Sequence, residues 1–253
     1  MSKGIRRVVV LPDIHAPKED KKAMRAVLKF IRDYQPHELI QLGDLCDFDS
    51  ISRFDTAREK DLVALKDEVE AANVMLDSIE AVLPRGCKKV ILEGNHDHRP
   101  EMYRLNRWDK NVMNVLGMSN LPNWDVLYNL KKRNWETREY GELYKLGKAM
   151  FSHGWFTNSY HASKTVHRWF KTIIYGHTHT YQVHSINGLD GKPVMGMSIG
   201  TLSRFDLSYL RGLPPDWVTM FMYMDYWRDG TFTPHAIPII NGAFTAEGKR
   251  YEG

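Results

Sequence analysis

Five short groups of oxygen- and imidazole-bearing residues stand out in this 253-residue chain: Asp13-Ile14-His15, Gly43-Asp44-Leu45-Cys46-Asp47, Gly94-Asn95-His96-Asp97, Ser152-His153-Gly154 and Gly176-His177-Thr178-His179. A mixed set of carboxylate, amide and imidazole donors suits Mn, Fe or Zn better than Ca or Mg. A carboxylate can bridge two such cations, and two cations ~3.5–4 Å apart can hold a hydroxide and clamp phosphoryl oxygens. The chemistry indicated is metal-assisted phosphoester hydrolysis. In Asp13-x-His15 and His177-x-His179, residues two apart on an extended chain point to the same side, so each pair can reach one metal region. Taken singly, each group has an ordinary reading. Gly-Asn-His-Asp is commonly a turn, and His-x-His can be a structural zinc pair or two hydrogen-bonded imidazoles. Five groups in one chain, each after a buried strand, shift the balance to a site.

Those strands are legible as short apolar runs at residues 8–11, 39–42, 90–92, 149–151 and 173–175. Between them, Ala23, Val27, Phe30, Ile31 and Tyr34 recur at helical spacing and Pro36 closes the helix. Leu62, Leu65, Val69, Ala72, Leu76, Ile79 and Val82 do the same before Pro84 and Gly86. Strand, helix, strand, helix, strand reads as α/β, and ligands of such sheets bind where the strands' carboxyl ends emerge. Each Gly of the five groups lets the backbone turn as it leaves a strand. Residues 99–147 are less regular. They hold Trp108, Trp124, Trp135 and Lys131-Lys132-Arg133, and are expected to be helices and loops over the core, an insertion at about 99–148. The basic run reads as a solvated loop, or as a stacking-plus-phosphate surface with the tryptophans. A helix is expected over residues 159–170, with His161, Lys164, His167 and Arg168 on a solvated face. From about residue 181 the chain turns β-rich, with strands at 181–186, 194–199, 218–226 and 232–239 and a hairpin signal at Asp229-Gly230. The polar end reads as a loose tail. One domain over 1–253 is expected.

Composition narrows the class. A hydrophobic share of 43% with 26% charged residues is that of an ordinary globular chain able to bury a core. The net charge of +4 permits phosphate contacts without announcing a nucleic-acid binder. Two cysteines imply no disulfide framework and a reducing cytoplasm. The N-terminal apolar run is too short for a signal peptide, and nothing approaches the ~18 apolar residues of a membrane helix. Seven Trp and twelve Tyr suggest that aromatics line a pocket or a surface, and exposed ones could mark a homodimer face.

The five groups resemble the pattern of the calcineurin-like metallophosphoesterases: D-x-H, G-D-x-x-D, G-N-H-D/E, an isolated H and G-H-x-H. The resemblance spans Asp13 to His179, and the later part is similar to phage-encoded members. It implies a four-layer αββα sandwich of two mixed sheets flanked by helices. It further implies that Asp13, His15 and His179 hold one divalent cation, that Asn95, His153 and His177 hold another, and that Asp44 bridges them. Mn is the first choice, with Fe, Zn or Ni as alternatives. His96 would sit over the phosphoryl group and help protonate the leaving oxygen, oriented by Asp47, while hydroxide held between the metals attacks phosphorus in line. His98, Arg99 and Arg204 are expected substrate contacts, and Phe205 and Tyr209 could frame the substrate. Cys46 is a packing residue. Ser/Thr phosphatases of the family carry Arg after the second Asp and Glu after Gly-Asn-His; here Phe48 and Asp97 stand there. The leaning is therefore to a phosphodiesterase or nuclease acting on nucleotide, DNA or RNA. A phosphomonoesterase is the alternative, and an inactive binding module ranks last. If the chain is phage-encoded, its place is the host cytoplasm.

Overall fold

Alternation along the first strand sets the layering. In β1 (Ile5–Leu11), Val9 and Leu11 face one core and Val8 and Val10 another, all fully buried. A strand covered on both faces needs layers on both sides. The computed structural model describes residues 4–52, 63–106, 121–188, 190–205 and 215–253. Leu62, Trp108 and Tyr209 lie outside them.

The first sheet runs β11 (Phe232–Pro238), β10 (Met220–Trp227), β1, β2 (Glu38–Gln41), β3 (Lys88–Leu92) and β4 (Glu136–Arg138). Strands β1 to β4 are parallel, and β10 and β11 are antiparallel. Its outer face packs on α1 (Lys21–Tyr34) and α2 (Leu65–Glu80) through Val27, Phe30, Ala72 and Leu76. Asp20 caps α1 by accepting from the Lys22 and Ala23 amides at 3.0 Å. Gln35 ends it in left-handed backbone ahead of Pro36.

The inner face packs through Val10, Ile40, Val90 and Met222 onto Phe151, Ile174 and Met197 of a second sheet. That sheet is β5 (Tyr144–Leu146), β6 (Ala149–Ser152), β7 (Thr172–Tyr175), β9 (Pro193–Ser198) and β8 (Gln182–Asn187). Helices α3 (Arg99–Asn106) and α4 (Trp124–Leu127) precede it in the chain, and α5 (His161–Trp169) packs on β7, β8 and β9. The architecture is the expected αββα sandwich of two mixed sheets.

Three expectations need correction. Residues 136–138 and 144–146 are not helix or loop but edge strands, one in each sheet. Trp124 and Trp135 are core residues, with the Trp135 indole donating to Glu80 at 2.7 Å. They cannot stack on a ligand, and Arg133 is bound to Asp77 and Glu80. The C-terminus is no loose tail: β12 (Ala243–Ala246) and β13 (Lys249–Glu252) form a hairpin on α1, with Phe244 and Tyr251 around Phe30. Among the described residues no helix is long and apolar enough to cross a membrane.

Candidate metal centre

The five groups follow β1, β2, β3, β6 and β7, whose parallel pairings bring their carboxyl ends to shared edges. The Thr201 hydroxyl donates to the Asp13 carbonyl at 2.9 Å and the Thr201 amide to Val218 at 2.9 Å, tying the segment after β9 to the turn after β1.

The side chains converge by a different route from the one their spacing suggests. His15, Asp44, His177 and His179 hold left-handed backbone, with φ of 55°, 52°, 70° and 60°. Sharp turns, not alternation along a strand, aim Asp13 with His15 and His177 with His179. Such conformations carry about 1–3 kcal/mol of strain each and persist where surroundings hold them. Here the Ile14 and His15 amides both donate to the Asp44 carbonyl, at 3.0 and 2.9 Å. Two glycines are needed for room. A Cβ on Gly94 would lie 2.1 Å from Asp44 Oδ1, and one on Gly176 would lie 2.1 Å from Asp13 Oδ1.

All seven expected ligands meet in two adjoining groups. In the first, His15 Nε2 and His179 Nε2 face each other at 3.0 Å, and His179 Nε2 lies 3.1 Å from Asp13 Oδ2. In the second, His153 Nε2 lies 2.8 Å from Asn95 Oδ1, and the His177 and His153 rings are 4.9 Å apart. Asp44 Oδ2 sits between them, 3.3 Å from His153 Nε2 and 3.8 Å from His15 Nε2. Outer hydrogen bonds fix the rings. His15 Nδ1–H donates to Asp47 Oδ1 at 2.9 Å and His153 Nδ1–H to the Leu42 carbonyl at 3.0 Å, leaving both Nε2 atoms inward. That second layer is the usual support of a metal-bound imidazole. Imidazole nitrogens turned on one another beside carboxylates need a cation or a proton between them, and this donor set fits divalent cations.

Without a cation, protons do this work. Burial alone would raise the Asp44 carboxyl and lower the His153 imidazole. Their mutual attraction prevails, so Asp44 is held well below the usual range and His153 is pushed up to about 9. His15 is likewise raised, against burial, by its hydrogen bond to Asp47. His177 falls to about 4 because burial and the neighbouring His153 outweigh the carboxylates, and burial also lowers His179. Protonated and neutral imidazoles thus share one buried carboxylate cluster.

His96 stands at the edge of this cluster. Its amide donates to Asp44 Oδ1 at 2.8 Å, and its Nδ1–H reaches the Asp47 carbonyl at 2.7 Å, with Asp47 Oδ1 at 3.1 Å. Asp47 therefore supports His15 as well as His96. Arg99 places Nη2 3.1 Å from His96 Nε2 and Nη1 2.6 Å from the Asp47 carbonyl. His98 is turned aside, bonded to Glu93 at 3.0 Å and stacked on Tyr140. Arg204 has an exposed side chain and anchors its amide on the Lys18 carbonyl at 2.9 Å. Phe205 packs on Trp217, which meets the His179 ring at 4.4 Å.

Sequence reasoning missed Lys18 and Asp49. Lys18 is buried, 2.5 Å from Asp47 Oδ2, and also pairs with Asp49. The available signal was a Lys just past the first group and a further acid just past the second. It also missed why Asp97 is there. Asp97 is fully buried and accepts from the Gly94, Leu45 and Cys46 amides and the Tyr128 hydroxyl, bracing two site loops together. His161, expected on a solvated face, is buried between Tyr175 and Thr180.

A family model described as calcineurin-like phosphoesterase matches residues 6–181. The Gene 54 protein of Mycobacterium phage L5 is 26% identical over 272 residues, covering 98% of this chain and 99% of that protein. Its counterpart in Mycobacterium phage D29 is 28% identical over 269 residues, with 98% and 99% covered. Among solved structures, Vps29 of Entamoeba histolytica complexed with zinc is 13% identical with a TM-score of 0.49, covering 97% of this chain and 98% of that one.

Proposed function

The chain belongs to the calcineurin-like phosphoesterase family and is a metal-dependent phosphoester hydrolase; within that class, we propose that it is a two-cation phosphodiesterase acting on nucleotide or nucleic-acid phosphodiesters. The observation that supports the two-cation centre is the position of Asp44 Oδ2 between the two imidazole groups. Asp13, His15 and His179 would hold one cation, and Asn95, His153 and His177 the other, with Asp44 shared. Bound there, divalent cations, Mn first, supply a lowered water pKa and charge to offset the phosphoryl oxygens.

The chain's own groups do the rest. His15 and His153 are aimed by Asp47 and the Leu42 carbonyl. Asp47 holds His96 through Nδ1, and Nε2, which accepts from Arg99 Nη2 in this structure, would have to exchange that contact for a proton before delivering it to the leaving oxygen. Arg99, beside that Nε2 and held by Asp49 at 3.2 Å, would offer its Nη2 edge to a substrate oxygen. The diester preference rests on Phe48. It is buried and stacked on Tyr128, where a family phosphatase would present an Arg. A phosphomonoesterase is the second reading, favoured by the Arg99 guanidinium, which could meet the extra charge of a terminal phosphate. We place the reaction in the host cytoplasm because the full-length relatives are phage proteins.

Turnover of bis-p-nitrophenyl phosphate, p-nitrophenyl phosphate, and single- and double-stranded DNA by the Mn-loaded protein tests this. Diester cleavage is expected to dominate. Turnover of the monoester alone would overturn the diesterase reading and leave the metal centre standing.

A further inference from the structure

No Asp or Glu occurs between Glu142 and Asp190, although acids make up 31 of the chain's 253 residues. This acid-free stretch builds β6, the loop after His153, α5, β7 and β8. Within it, Phe156, Tyr160, Lys164 and Arg168 follow at four-residue spacing, which aligns Lys164 and Arg168 on one face of α5 with Tyr160 at its N-terminal cap. Tyr160, Lys164, Arg168, Trp169, Phe170 and Lys171 are exposed. Tyr160 is 77% exposed, Trp169 41% and Phe170 46%, a density of open rings that core packing does not explain. The Lys164 ammonium lies 4.4 Å over the Phe156 ring, and the Trp155 and Trp169 rings pack at 5.0 Å. Trp155 is two residues from His153, so the strip starts at the candidate metal centre. Beside it, a cleft of about 500 Å³ is lined by Asn158, Tyr181 and Gln182, with His177 on one wall and Asp216 the one acid among the described lining residues.

We propose that this strip is a track for a single-stranded polynucleotide, leading the strand to the metal centre through the cleft beside His177; the proposal rests on the diesterase reading above. Lys164, Arg168 and Lys171 meet the phosphates, while Tyr160, Trp169 and Phe170 offer stacking surfaces for bases. Bare cations would serve any polyanion. Open rings between them suit a strand whose base faces are free, which a duplex hides. The Asn158 amide has the donor and acceptor pattern to read a base edge, while the Gln182 amide, donating to the Ser159 carbonyl at 2.9 Å and accepting from the Ala162 amide at 3.4 Å, shapes the cleft wall.

The test is fluorescence anisotropy of labelled oligothymidylate and oligouridylate of about a dozen nucleotides, with a duplex arm, on the full chain in chelator so that no cleavage occurs. The strip is expected to bind both single strands more tightly than the duplex. Replacing Lys164, Arg168 and Lys171 together by Gln should weaken oligothymidylate binding at least about tenfold and flatten its log-affinity against log-salt slope by about 2. Tyr160→Ala should weaken single-strand binding and leave duplex binding unchanged. Bis-p-nitrophenyl phosphate turnover should be unchanged in both variants, which also reports that they fold. Triple-variant binding equal to wild type, tighter duplex binding, or no binding by wild type at low salt overturns the track. Single-strand binding without any diester turnover keeps the track and refutes the diesterase. Self-association on size exclusion, abolished by Tyr160→Ala while oligonucleotide binding persists, would assign the rings to a dimer face and overturn their stacking role.

Discussion

Asp44 stands between the two groups of the site. One oxygen receives the His96 amide, and the other lies between His15 and His153. Asp44→Ala is expected to lose bound cations and activity together. His96→Ala should retain both cations and lose about 10²–10⁴-fold in turnover, the usual range for a positioned proton donor. Metal content by mass spectrometry separates the two, and loss of metal from the His96 variant would refute its assigned role. Proton competition gives a second expectation. With His153 pushed up to about 9, its Nε2 carries a proton below that pH, which an entering cation must displace. Cation affinity should therefore climb by up to about tenfold per pH unit between pH 7 and 9 and then level off. His177, lowered to about 4, adds no dependence in that window. Calorimetric titration across pH checks this, and a flat profile would contradict it. The seven side chains that the motif resemblance names as ligands are the ones the structure brings together. Their left-handed backbone was not legible, because torsion at His15 or His179 is imposed by contacts from distant strands. Lys18 was illegible for the same reason: its partners lie beyond β2.

Elements deliver these side chains through close backbone approach. Gly94→Ala should leave the fold's circular dichroism intact and abolish cation binding, since its Cβ would take the space of the Asp44 carboxylate. Cation binding at wild-type affinity would show that the β3 loop can yield. The C-terminal hairpin serves stability. Phe244→Ala should cost about 3–5 kcal/mol by denaturant melting, as for other buried rings, with cation affinity of the folded protein unchanged. A change below about 1 kcal/mol would make the hairpin dispensable. Strands buried on both faces read plainly because they are continuous apolar runs. Glu136-Thr137-Arg138 and Tyr144-Lys145-Leu146 did not, since three residues at a sheet edge are too short to show a period. Phe244 and Tyr251 were read as tail residues because their apolar partners lie on α1, far away in sequence. Trp135 was misplaced because its partner Glu80 is on α2.

At the scale of the whole molecule, the sandwich brings together loops from two sheets that no single element could assemble. β1, β2 and β3 contribute Asp13, His15, Asp44 and Asn95, while β6 and β7 contribute His153, His177 and His179. The fold class was legible because alternating strands and helices admit few layered solutions. Whether the two loop groups form one working centre is a question of stoichiometry. The direct measurement is to strip the protein with chelator, add Mn in substoichiometric steps, and follow bis-p-nitrophenyl phosphate turnover together with bound metal. A shared two-cation centre requires activity to vanish on stripping and to return to a plateau at two cations per chain. Turnover that survives stripping, or a plateau at one cation, would contradict it.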